Sequence, residues 1–174
     1  MALVVEDGTG KSDAESFASV TEANTYWTNR GNSAWAANDA AKEVALRKAA
    51  DYLEQKYRGL WLGSRVLATQ ALSWPRIGVT VDGFPVPPTL VPMEVKRSAI
   101  ELALRAVDGE LLPDAISSSG DVIREKLGEM EVEYSAGTNT GGGDPVYAAA
   151  TKWLSLFLSN GGSSVIFNAN VLRA

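Results

Sequence analysis

Residues 38–57 constrain the fold of this chain more than any other stretch. Asn38-Asp39 gives a helix start signal, and Leu46, Ala49, Ala50, Leu53 and Tyr57 follow at helical spacing. Lys42, Glu43, Arg47, Lys48, Asp51 and Glu54 fall on the opposite face. One buried stripe and one solvated face predict an amphipathic helix running to about Tyr57 and stopped by Gly59. Small side chains at Ala45, Ala49 and Ala50 let a second helix approach closely.

Further helix signals flank it. Ser19-Val20-Thr21-Glu22 matches a capping box and predicts a helix of about ten residues carrying Tyr26 and Trp27, with Gly31 as its left-handed stop. Pro92 suits the first position of another helix, from about 92 to 107, with Val95, Ala99, Leu102, Ala103 and Ala106 on one face. Asp144-Pro145 predicts a last helix through about 158. Between residues 128 and 134 apolar and acidic residues alternate, as in a strand with one solvated face, so residues 121–135 read as a hairpin or β-arm. The predicted fold is mainly α: a small bundle of about four helices with a β-hairpin or arm and an extended C-terminal tail. The chain reads as a single domain over 1–174. It comprises a helical core (1–120), the β-arm (121–135), a Gly-rich flexible linker (136–144), a C-terminal helix (145–160) and the tail (161–174).

Residues 60–91 carry little helical or strand periodicity, which is long for a connection in a compact domain. Within them lies Gln70-Ala71-Leu72-Ser73-Trp74-Pro75-Arg76. Pro75 restricts Trp74 to an extended or turn conformation and has no N–H to donate to a ladder. Trp74 and Pro75 are expected to anchor the loop in the core, leaving Arg76 to face a neighbour.

Composition narrows the chemistry. The 174 residues contain no histidine and no cysteine, which removes Ser-His-Asp and Cys-His catalysis, disulfides and thiolate–imidazole zinc sites. No apolar run approaches the roughly 20 residues that span a bilayer, and Met1-Ala-Leu-Val-Val-Glu6 lacks the basic leader of a signal peptide. No membrane association is expected, and folding in a cytoplasm is. A net charge of −5, with the basic residues scattered along the chain, argues against tight nucleic-acid binding.

Several local motifs have plainer roles. Gly8-Thr9-Gly10-Lys11-Ser12 has the look of a phosphate loop, but the position five before Gly10 is Val5. As a calcium loop, residues 7–18 would place Lys11 among the ligands and Ala18 where a glutamate is needed. Glu129, Glu131 and Glu133 share one strand face without a converging fourth ligand, so a solvated face is the better reading. Arg58, Arg65, Arg76, Lys96 and Arg97 with Trp61 and Trp74 could make a single-strand groove. Core tryptophans with solvated arginines are the plainer reading. No nucleophile, acid/base pair or metal set survives, so no enzyme and no cofactor is expected.

The chain also resembles a family. The residues concerned are Leu3-Val-Val-Glu-Asp-Gly8, Asp13-Ala-Glu-Ser16, Ser19-Val20-Thr21-Glu22-Ala23, Ala50-Asp51-Tyr52-Leu53, the Gln70–Arg76 stretch, Val91-Pro92 and Glu125-Lys126-Leu127-Gly128. Their order over roughly residues 1–158 is similar to that of the head–tail adaptor (head-completion, connector) proteins of tailed bacteriophages. Relatives there often carry the label DnaT-like single-stranded DNA-binding protein. The resemblance implies a virion structural protein at the head–tail junction, assembled in the host cytoplasm. It implies a homo-oligomeric ring, a dodecamer, beneath the portal protein. The ring would join a neck, head-closure or tail-terminator protein and pass double-stranded DNA through its lumen without specific binding. Arg76, Lys96, Arg97, Val165, Ile166, Phe167, Val171 and Leu172 would then face the portal or adjacent subunits, and Glu129, Glu131 and Glu133 the lumen. The alternative function is a single-stranded DNA-binding replication accessory.

Overall fold

The computed structural model describes residues 2–112, 124–127, 130–133 and 146–159. The chain is mainly α. Helix α1 spans Val20–Thr28, α2 Asp39–Tyr57, α3 Met93–Asp108 and α4 Ala148–Leu154, the last running into a 3-10 turn at Ser155–Phe157. The backbone divides into two compact units, residues 1–111 with 147–174, and residues 112–146.

The predicted capping box holds α1. Ser19 Oγ accepts the Glu22 amide at 3.1 Å, and Glu22 Oε2 accepts the Ser19 amide at 2.8 Å. Gly31, at φ +62°, ends the helix in the left-handed conformation its sequence position predicted. At α2, Asn38 Oδ1 accepts the Ala41 amide at 2.9 Å. The buried face of α2 includes Ala45 and Tyr52 beside the residues its periodicity indicated. It packs on α3, which contributes Val95, Ser98, Ala99, Leu102, Ala103 and Ala106. Pro92 is the N-cap of α3 rather than its first turn. Helix α4 begins at Ala148, shorter than predicted, and buries Ala150 and Leu154 against α3.

The stretch from 60 to 91 is more ordered than its composition suggested. Strands β1 (Ser64–Arg65) and β2 (Arg76–Ile77) pair antiparallel, as do β3 (Thr80–Val81) and β4 (Phe84–Pro85). Asp82 and Gly83 both take positive φ, +52° and +83°, between β3 and β4. Asp-Gly is a strong two-residue hairpin signal, which a reading based on periodicity passes over because each strand is only two residues long. Aromatic rings then bind this region to the helices. Trp74 stands edge-on to Trp61 at 5.9 Å and to Phe157 at 5.5 Å, and Trp61 meets Tyr57 at 6.3 Å. Backbone pairing of residues 60–62 with 157–159 closes the cluster, with Leu62 N–H donating to Phe157 O at 2.9 Å and Ser159 N–H to Leu60 O at 2.7 Å.

The glycine loop near the N-terminus is filled by the chain itself. Glu6, fully buried, accepts the amides of Gly8, Gly10 and Lys11 at 2.8, 2.9 and 2.8 Å. Backbone amides that would cradle a phosphate in a nucleotide-binding loop are committed to an internal carboxylate. Gly8, at φ +101°, leaves no room for a side chain: a Cβ there would stand 2.1 Å from Thr89 O.

In the second unit, β5 (Arg124–Leu127) and β6 (Met130–Glu133) form the predicted antiparallel hairpin. Its register sets Lys126 opposite Glu131 and Arg124 opposite Glu133. The acidic strand is thus paired with a strand bearing cations at two facing positions. Gly128, Glu129, the linker and the tail, including Val165, Ile166, Phe167, Val171 and Leu172, lie outside the described residues.

Candidate functional site

Helical spacing brings one set of residues to a shared groove. Thr21, Thr25 and Asn29 recur every fourth residue along α1 and its C-cap, beside Glu22, Tyr26 and Arg30, which repeat the same interval. On α3 the matching residues are Met93, Lys96, Arg97 and Ile100, spaced i, i+3, i+4 and i+7. These ten residues line a cavity of about 320 Å³ between the two helices. Tyr26 and Ile100 are buried in its floor, while Thr21, Thr25, Asn29, Arg30 and Met93 are exposed at its rim.

Three of the lining residues are cations and one is a carboxylate. The Arg30 guanidinium lies 3.5 Å from the centroid of the Tyr26 ring and donates to Tyr26 O at 3.1 Å. The ring beneath it is fixed by its hydroxyl, which donates to Glu101 Oε1 at 2.8 Å. Burial first, and the Glu101 carboxylate second, push the Tyr26 hydroxyl above its ordinary value, so it stays a neutral donor. Arg97, which also lines the cavity, stands 4.8 Å from the Trp153 ring centroid on α4. Lys96 Nζ is 2.7 Å from Glu22 Oε1. Burial works to raise the Glu22 carboxyl, but its bonds from Lys96 and Ser19 outweigh it and hold the group below the ordinary range.

Such a groove can hold an anionic, planar ligand. An arginine plane already stacked on a tyrosine offers its outer face to a second π-system, and a lysine and a second arginine stand along the same helix for phosphates. At physiological salt the Debye length is about 8 Å, so distant carboxylates of an acidic chain weigh little against a local excess of cations. The net charge of −5 therefore describes the whole chain and does not describe this groove.

The groove of Trp61 and Trp74 does not form, and both tryptophans are core residues, as the plainer reading had them. Trp61 and Trp74 are 5% and 0% exposed and cannot serve as stacking platforms. Arg76 corrects the expectation most sharply. It is 7% exposed, and its guanidinium donates to the carbonyls of Trp61, Leu62, Gly63 and Ser73 at 3.4, 2.6, 2.7 and 3.1 Å. Its donors are spent inside the loop, so it does not present itself to a neighbouring subunit. Gln70 is likewise internal, accepting the Leu67 amide and donating to Leu72 O and Pro75 O. Arg65 donates to Gln70 O at 2.9 Å. The whole Gln70–Arg76 stretch is scaffold, with Trp74 and Pro75 both fully buried. Lys96 and Arg97 line the groove together, joined by Arg30 and by Tyr26, which the sequence marks only as a residue of the first helix. Their i, i+4 spacing at the end of a capped helix was the available signal.

Among the described residues no helix is long and apolar enough to cross a membrane, and no group of three His, Cys, Asp or Glu could hold a metal ion. No curated protein and no solved structure matches the chain. A family model described as "Putative DnaT-like ssDNA binding protein" matches residues 1–174. The match corrects the head–tail adaptor expectation: the family is described by single-strand binding, the alternative function read from the sequence. The portal, neck and ring partners rested on the adaptor resemblance alone. The family is one of binding proteins rather than enzymes. The chain belongs to the DnaT-like single-stranded DNA-binding protein family.

Proposed function

We propose that this protein binds single-stranded DNA without sequence preference, as an accessory to replication, and that the strand lies in the groove between α1 and α3. One observation carries the reading: Arg30, Lys96 and Arg97 converge on a groove floored by Tyr26 in a chain that is otherwise acidic. Lys96 and Arg97 neutralise phosphates, and a base stacks on the outer face of the Arg30–Tyr26 pair. Any base has a π-face, so this contact tolerates sequence. A duplex keeps its bases stacked on each other and offers none to the arginine.

Three cations offset by one carboxylate leave two net charges to meet phosphate. That predicts modest affinity, falling about 7-fold between 50 and 200 mM salt. Fluorescence anisotropy of labelled oligo-dT, with a labelled duplex as the comparison, tests the reading. Saturable binding of the single strand at low salt, stronger than binding of the duplex, is expected. Equal or stronger duplex binding would overturn it.

A further inference from the structure

Glu22 does two jobs with two oxygens. Oε2 accepts the amide and hydroxyl of Ser19 at 2.8 and 2.9 Å and completes the cap of α1. Oε1 is free of that duty and holds Lys96 Nζ at 2.7 Å. The cap requires an acceptor at this position and not a charge, since glutamine serves in capping boxes as glutamate does. The cap therefore does not itself require the negative charge at the groove. That charge sits on the one lysine of the cavity, in the place a phosphate oxygen would occupy.

We propose that Glu22 is an internal competitor for phosphate: it holds Lys96 in the empty groove, and a bound strand displaces its Oε1 while Oε2 continues to cap the helix. The inference rests on the single-strand reading above and names what regulates that site. Displacement is local. A phosphate oxygen replaces a carboxylate oxygen on the same ammonium, and the freed carboxylate, 39% exposed, turns to water. Two consequences follow for binding. The lysine is kept ordered and pointed into the groove before the strand arrives. The carboxylate also lowers affinity, so that the complex forms only when several phosphates act together and is readily released.

Glu22→Gln separates charge from cap. Oligo-dT affinity at 50 mM salt should rise 3- to 10-fold, and the slope of log K against log salt should steepen by about 0.7, one counterion's worth on a single strand. Lys96→Gln should cost more affinity in the Glu22→Gln background than in the wild type, where the lysine is already engaged. A second measurement needs no variant: the Glu22 side-chain carboxyl ¹³C resonance of the wild-type protein should shift on adding oligo-dT. Unchanged or weaker binding by a folded Glu22→Gln protein, or a carboxyl resonance indifferent to saturating oligo-dT, overturns the proposal while leaving wild-type binding intact. Absence of oligo-dT binding by the wild type and by Glu22→Gln alike overturns both this inference and the function it rests on.

Discussion

The Arg30 guanidinium stands 3.5 Å from the centre of the Tyr26 ring, one helical turn before it in sequence, and Arg30 is exposed. Tyr26 is itself held by Glu101 on α3, so the stack is built on two helices rather than on a loose side chain. A rigid cation–π pair at the mouth of a basic groove is a platform for a nucleobase. Arg30→Ala should weaken oligo-dT binding about 5- to 30-fold, from loss of a stacked base and of one phosphate partner, with little change in thermal stability because Arg30 is exposed. Anisotropy titrations of both proteins check the first part and melting curves the second.

Arg76 predicts the opposite pattern. Its guanidinium serves four backbone carbonyls and is largely buried among them. Burial pulls its basicity below the ordinary value, partly opposed by Glu54, yet it remains a cation. Arg76→Met leaves those carbonyls without donors and should cost roughly 3–5 kcal/mol, read as a lower urea midpoint. Oligo-dT affinity per folded molecule should be unchanged. A stable Arg76→Met protein that lost binding would return this residue to a surface role.

Acid should destabilise the fold. Asp7, Glu15 and Glu22 all lie below their ordinary carboxylate values, Asp7 chiefly through Thr9, Glu15 chiefly through Arg47, and Glu22 through Lys96 and Ser19 against the pull of burial. A depressed carboxylate contributes stability that is fully present above its unfolded value, near 4.5 for glutamate, and is lost as pH falls through the folded one. Asp51, raised by burial and by Glu15, acts in the other direction and recovers a part on protonation. The melting temperature should be flat from neutrality to about pH 5 and fall below it. In Glu15→Gln the acid limb should be shallower. A melting temperature that rises on acidification would contradict these assignments.

Local signals in the sequence were legible and distant ones were not. Ser19 with Glu22, Asn38 before α2, and Gly31 after α1 each act within four residues, so their roles follow from spacing alone. The stripe through Leu46, Leu53 and Tyr57 is equally local. Arg76 is different: its acceptors include carbonyls 13 to 15 residues upstream, and no periodicity distinguishes a caged arginine from a solvated one. The groove was half visible. Lys96 and Arg97 are adjacent and were candidates for a nucleic-acid groove, but Tyr26 and Arg30 join them only because α1 lies against α3, a packing choice that spacing within either helix does not reveal.

The most direct measurement of the central claim is the salt dependence of oligo-dT binding by the wild type and by Arg30→Ala/Arg97→Ala. Two net charges in the groove predict a slope of log K against log salt of about −1.4 for the wild type. Removing both arginines cancels that excess and should bring the slope close to zero along with most of the affinity. A slope that the double substitution leaves unchanged, or no binding by the wild type at low salt, would contradict single-strand binding in this groove.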